Sequence, residues 1–223
     1  MILIIAKETG VYMKKSDIIN FVKILKNTYP DAACSLDFET PFQIVVAVML
    51  SAQCTDERVN KTTPTLFKKC KNIEDFAKIN LQELEQIIHP CGFYKNKAKN
   101  IKLCAKQILE NFDGKVPQTM EELLTLAGIG RKSANVILLE AFGIANGIAV
   151  DTHAKRISNR IGLSHEKEPE KIEQDLIKIF PKESLKDINH LFVWHGRKTC
   201  DSRKPNCENC TVRDYCNFYK LSK

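Results

Sequence analysis

Two groups of residues in this 223-residue chain have the types and spacing to do chemistry. Near the end, Cys200, Cys207, Cys210 and Cys216 follow a C-x6-C-x2-C-x5-C pattern. Four thiolates in so short a span can close around one metal centre. Zinc and an iron–sulfur cluster both use four cysteines, and spacing alone favours neither. In the middle of the chain, Gly128-Ile129-Gly130 runs into Arg131 and Lys132, with Asp151 further on. A turn with outward backbone amides, a helix N-terminus behind it and two cations suit the holding of phosphate. Taken by itself, the same turn is an ordinary αα-hairpin with glycine at the helix end.

The neighbouring residues predict the elements that must position these groups. Thr119-Met120-Glu121-Glu122 has the spacing of a capping box, and Met120, Leu123, Leu124 and Ala127 give the helix it starts one apolar face. Gly128 and Gly130 then suit a sharp reversal, since glycine tolerates positive φ. Arg131 and Lys132 open a second helix, with Ala134, Ile137, Leu138, Ala141 and Phe142 in one stripe. After a loop from Gly143 to Gly147, Asp151-Thr152-His153 places an acid at the start of a third.

The rest of the chain reads as helix after helix. Ser16 to Asn27 is amphipathic, with Ile18, Ile19, Val22 and Leu25 inward. Thr40-Pro41-Phe42-Gln43 is a second capping box with proline at the first helical position, so the valine-rich run Phe42 to Leu50 is a central buried helix and not a strand. A polar stretch, Ser51 to Asp56, follows it abruptly. Thr55 or Asp56 can cap the next helix, which carries Val59, Leu66 and Phe67, but that leaves Gln53 unexplained. Asn80 with Glu83 starts a helix that Pro90 stops. Gly92-Phe93-Tyr94 precedes another, with Ala98, Ile101, Ala105, Ile108 and Leu109 inward. Lys97-Ala98-Lys99-Asn100-Ile101 faintly echoes Lys132-Ser133-Ala134-Asn135-Val136, short of a repeat. Further helices are predicted at Thr152–Ile161, Pro169–Phe180 and Glu183–His195, with Gly196 ending the last. The expected fold class is all-α.

A formal net charge of +7 fits a polyanionic partner. No apolar run reaches the roughly 20 residues of a membrane span. The apolar patch Ile2 to Ala6 is too short for the centre of a signal peptide, and residues 1–12 read as a disordered upstream extension before the first helix. Nine cysteines without an export signal point to a reducing, cytoplasmic setting, in which thiols bind metal more often than they pair; the five outside the C-terminal group are mostly expected in the core.

The run from Leu126 to Val136, with Val150-Asp151-Thr152-His153, resembles the helix-hairpin-helix signature of DNA glycosylases of the endonuclease III family. Ala127 stands where that family commonly has proline. The cysteine spacing after Trp194-His195-Gly196-Arg197 is similar to the family's C-terminal [4Fe-4S] loop, which moves the expectation from zinc to iron–sulfur. The resemblance implies a six-helix barrel at residues 34–144. It also implies an iron–sulfur lobe from residues 13–33 plus 145–223, with DNA in the cleft between them. Lys132 falls at the nucleophile's place, in a site expected to be buried, and Asp151 at that of its acid–base partner. Gln53 and Phe93 take the places of side chains that fill the gap left by a flipped nucleotide, although Phe93 alone reads as core. Gly128, Gly130 and Arg131 would hold phosphate, as would Arg203 and Lys204 on the cysteine loop. The implied activity is a bifunctional glycosylase and abasic-site lyase, a monomer excising oxidised or ring-saturated pyrimidines from duplex DNA. An adenine-mispair glycosylase typically lacks the hairpin lysine. A non-catalytic binding module with structural zinc would not need Asp151 after Lys132.

Overall fold

The computed structural model describes residues 13–222; the expected extension at residues 1–12 lies outside them. The described residues are all-helical, without a strand. In chain order the α-helices are α1 Lys15–Thr28, α2 Pro41–Ser51, α3 Asp56–Lys69, α4 Ile73–Lys78, α5 Leu81–Ile88 and α6 Tyr94–Asn111. They continue as α7 Met120–Leu123, α8 Arg131–Phe142, α9 Thr152–Ile161, α10 Pro169–Ile179, α11 Leu185–Lys198 and α12 Asn217–Leu221. The chain divides into two compact units, one of residues 34–144 and one of residues 13–33 with 145–222.

Residues 34–144 are built around α2. Every residue from Phe42 to Leu50 except Gln43 is buried, and a helix apolar on all sides must sit inside a ring of neighbours. It packs against α3, α6 and α8. Seven large apolar side chains at ~1.5–3 kcal/mol each represent roughly 10–20 kcal/mol of transfer free energy, opposed by the entropy of ordering them. The helix starts where Thr40 Oγ1 accepts the Gln43 N–H at 3.2 Å. Gln43 Oε1 accepts from Glu39 N at 2.7 Å, one residue earlier than a capping box requires. The short α4 has no counterpart among the predicted helices. Asn72 caps it, and its Phe76 stacks edge-on against Phe42 at 5.2 Å.

The expected helix after Thr119 is shorter than its apolar spacing suggests. It makes one turn, after which Thr125 N–H bonds to Glu122 O, Leu126 N–H to Leu123 O and Ile129 N–H to Leu126 O. Such i→i+3 bonds eclipse every third side chain, so Leu123, Leu126 and Ile129 are buried together while Leu124 turns out to solvent.

In the other unit, α1 presents Ile18, Phe21, Val22 and Leu25 to the core. Ile19 is half exposed, contrary to expectation, because it lies about 100° around the helix from Ile18. Phe21 takes the inward place and meets Phe180, Phe192 and Tyr215. Gly196 does not end its helix. It is buried within α11, where an added Cβ would lie 2.4 Å from His153 Nδ1 and 2.9 Å from Arg156 Nη2, both on α9. The glycine is there because the side chains of His153 and Arg156 on α9 lie against it. Gly196→Ala should therefore destabilise the protein by about 1–3 kcal/mol, overcoming the ~1 kcal/mol by which alanine is the better helix former; chemical denaturation measures it.

Candidate nucleic-acid interface and cysteine-lined cavity

Within residues 34–144, the hairpin closes directly on α2. Gly128 has φ +79°, and a Cβ on it would lie 2.7 Å from Met49 Cε and 3.0 Å from Asn100 Cβ. Gly130 serves otherwise than expected: with φ −102° and ψ 173° it is extended, and it forms the N-cap of α8. It is exposed, brings no capping side chain and leaves open space before the helix N-terminus. The N–H groups of a first helical turn have no partner within the helix, so this end offers donors and the positive end of the helix dipole. Lys132, second in α8, is exposed, and the buried setting expected for it is absent from this unit. Arg131 beside it is half-buried.

Gln53 and Phe93 share an uncommon backbone. Among the described residues, the non-glycines with positive φ are Gln53 at 54°, Phe93 at 47° and Asp113 at 50°. The left-handed conformation costs such residues about 1–2 kcal/mol and is concentrated where function demands it. Phe93 is 65% exposed, so it is not a core residue. Gly92, also at positive φ, precedes it, and Phe93 is the N-cap of α6. The echo between Lys97 and Lys132 conceals opposite fates, since Lys97 is buried and donates to two backbone carbonyls.

Asp151, in the other unit, is the N-cap of α9, where its Oδ1 accepts the Ala154 N–H at 2.7 Å. Cys200, Cys207, Cys210 and Cys216 there line one small cavity, together with His195 and Phe218. All four are free thiols. Burial, then the neighbouring cysteines, push Cys210 up to about 11, and burial likewise raises Cys216. A cation among such thiols favours their ionised form. Among the described residues no three His, Cys, Asp or Glu stand close enough to hold one metal ion.

Two arginines with no predicted role hold the cysteine loop. Arg160 donates from Nη1 to Asp201 O at 2.6 Å and Cys200 Sγ at 3.3 Å, and from Nη2 to Ser202 O at 2.9 Å. Its guanidinium also lies 4.8 Å from the Phe218 ring centroid. Arg156 donates to Cys200 O at 3.0 Å and Gly196 O at 3.1 Å. Their i, i+4 spacing on one helix was the signal available. Asp201 Oδ1 accepts the N–H groups of Arg203 and Lys204, which holds its carboxyl below the usual range. The side chains of Arg203 and Lys204 are exposed. His195, buried and held at about 4 by desolvation and Arg156, bridges Tyr29 OH and Cys210 Sγ.

A helical hairpin and a four-cysteine loop define a class before any particular relative is considered. Residues 46–182 match the HhH-GPD superfamily, described as base excision DNA repair proteins. The chain is 50% identical over 203 residues to endonuclease III of Synechocystis sp., covering 91% of this chain and 93% of that one. A solved non-covalent endonuclease III–DNA complex superposes with a TM-score of 0.87 at 38% identity, covering 94% of this chain and 98% of the other. A trapped endonuclease III–DNA covalent intermediate matches with the same TM-score and identity, covering 94% of this chain and 99% of the other. The chain belongs to the endonuclease III family, DNA glycosylases of base excision repair.

Removing the Arg160 guanidinium should loosen the cysteine loop. A hydrogen bond to a charged group contributes about 1.5–3 kcal/mol, so Arg160→Met should speed amide exchange at residues 201–204 by about tenfold or more in hydrogen-exchange measurements.

Proposed function

We propose that this protein is a bifunctional glycosylase and abasic-site lyase, a cytoplasmic monomer that removes oxidised or ring-saturated pyrimidines from duplex DNA. The observation that carries this is Lys132, exposed on the first turn of α8 just past an uncapped glycine hairpin, in a family with a trapped covalent DNA intermediate. The Gly128 and Gly130 amides, with Arg131, hold a phosphate at the helix N-terminus. A base within a duplex is out of reach, so the nucleotide must be flipped. Gln53 pairs with the orphaned base, and Phe93 wedges between base steps. Residues 34–144 act as the barrel domain and the other unit as the cluster domain.

An amine attacks only when neutral, and a free lysine carries a proton at neutral pH. Asp151 takes up that proton and stabilises the cationic sugar as the C1′–N bond breaks and the base leaves with the bonding pair. The Lys132 nitrogen bonds to C1′, and opening of the C1′–O4′ bond gives a protonated Schiff base. That cation acidifies C2′; loss of its proton expels the 3′ phosphate and cuts the strand. Cys200, Cys207, Cys210 and Cys216 would hold a [4Fe-4S] cluster, which would supply iron–thiolate bonds across the loop. Arg203 and Lys204, presented by that loop, contact phosphates.

Borohydride reduction on duplex DNA carrying oxidised thymine should trap a covalent adduct, and Lys132→Gln should abolish both adduct and cleavage. Asp151→Asn should bind DNA normally yet slow excision by ~10²–10⁴-fold, the range of a lost acid–base group; full activity would reduce Asp151 to a helix cap. Log affinity for undamaged DNA should fall linearly with log salt. Reversing the charges of Arg203 and Lys204 should lower that slope by about one per lost phosphate contact, as titration across salt concentrations would report.

A further inference from the structure

Lys97 is 7% exposed, the only lysine among the buried polar residues of the described chain, and the chemistry above does not use it. It sits on the first turn of α6, and its Nζ donates to Leu50 O at 2.8 Å and Cys91 O at 2.9 Å. These two carbonyls belong to different loops. Leu50 lies in the last turn of α2, three residues before Gln53; helix-terminal carbonyls there lack partners within the helix. Cys91 closes the 3₁₀ turn His89–Cys91, two residues before Phe93. One buried amine thus joins the roots of the two left-handed residues, each held in a conformation its own side chain disfavours.

We infer that Lys97 is a positioning residue, which sets the spacing of the Gln53 and Phe93 loops so that both side chains enter the duplex together around the flipped nucleotide. This rests on the role proposed above for Gln53 and Phe93. Insertion from two loops requires their separation to match the stack, and a misplacement of about 1 Å can cost on the order of 10²-fold in rate. Lysine suits this role because its long stem crosses the core and its amine can serve two acceptors at once.

The decisive comparison sets Lys97→Met beside Gln53→Ala and Phe93→Ala on two substrates. One is a duplex with oxidised thymine, the other a single-stranded abasic oligonucleotide, in which there is no opposing base and no stack to enter. Lys97→Met should lower kcat/KM on the duplex by about 10–10²-fold. It should also remove the fluorescence change of a 2-aminopurine placed opposite an abasic analogue, while borohydride trapping on the single strand stays at the wild-type rate. Gln53→Ala and Phe93→Ala should show the same split, and Lys97→Arg, which keeps a cation and its donors, should recover part of the duplex activity. Should Lys97→Met not fold, Lys97→Gln, with one amide donor left, carries the same comparison. Wild-type duplex excision and fluorescence in the lysine variant, beside impaired Gln53→Ala and Phe93→Ala, overturn the inference alone. Equal loss on both substrates overturns it too, leaving Lys97 a support of the fold. Wild-type behaviour of Gln53→Ala and Phe93→Ala overturns the reading of the loops themselves.

Discussion

The burial of α2 from Ile44 to Leu50 is the constraint on which the unit of residues 34–144 depends. A helix with no polar face has no stable place except inside other helices, so α3, α6 and α8 are held around it. Its ends are then fixed points. The polar segment after Ser51 emerges where the core stops, and the hairpin reaches α2 so closely that only a hydrogen fits between Gly128 and Met49. The exposed first turn of α8, and Lys132 on it, inherit their place from that contact. A rigid core thus presents short, strained segments, which is how a scaffold can hold reactive or inserting side chains in position without burying them.

The unit of residues 13–33 and 145–222 solves a different problem. From Cys200 to Cys210 the chain has no large apolar side chain to anchor it, so packing cannot order it. Charged hydrogen bonds take over: two arginines one turn apart on α9 reach the carbonyls of Cys200, Asp201 and Ser202. Asp201 in turn organises the amides of Arg203 and Lys204. These contacts bring four thiols around one cavity, where burial raises the cost of ionising Cys210 and Cys216. The close crossing at Gly196 lets α9 approach α11, from which the loop departs, so the arginines have the reach they need.

Most of the helices were legible because their determinants are local. Thr40, Thr55, Asn80, Thr119 and Asp151 each cap the helix that their spacing announced. Where the local pattern misled, distant contacts had overruled it. Leu124 had the right spacing for an inward face, but the chain tightened to a three-residue period on its way into the hairpin. Ile19 and Phe21 are both apolar, and only packing against Phe180 and Phe192 decided which of them went in. Gly196 looked like a stop signal because glycine both ends helices and admits close neighbours, and composition cannot tell those uses apart.

The amino-acid order alone determined the all-helical class, the hairpin with its lysine and later aspartate, and the four-cysteine spacing. Each depends on residues close in the chain, where propensity, capping and ligand reach act directly. Only the tertiary structure decided that Lys97 is buried while Lys132, in the matching motif, is exposed. It alone decided that Phe93 leaves the core and that Arg156 and Arg160 serve the cysteine loop. Exposure and partnership are properties of surfaces brought together from far apart in sequence, and two faintly similar stretches on two helices place their lysines in a core at one place and in solvent at the other.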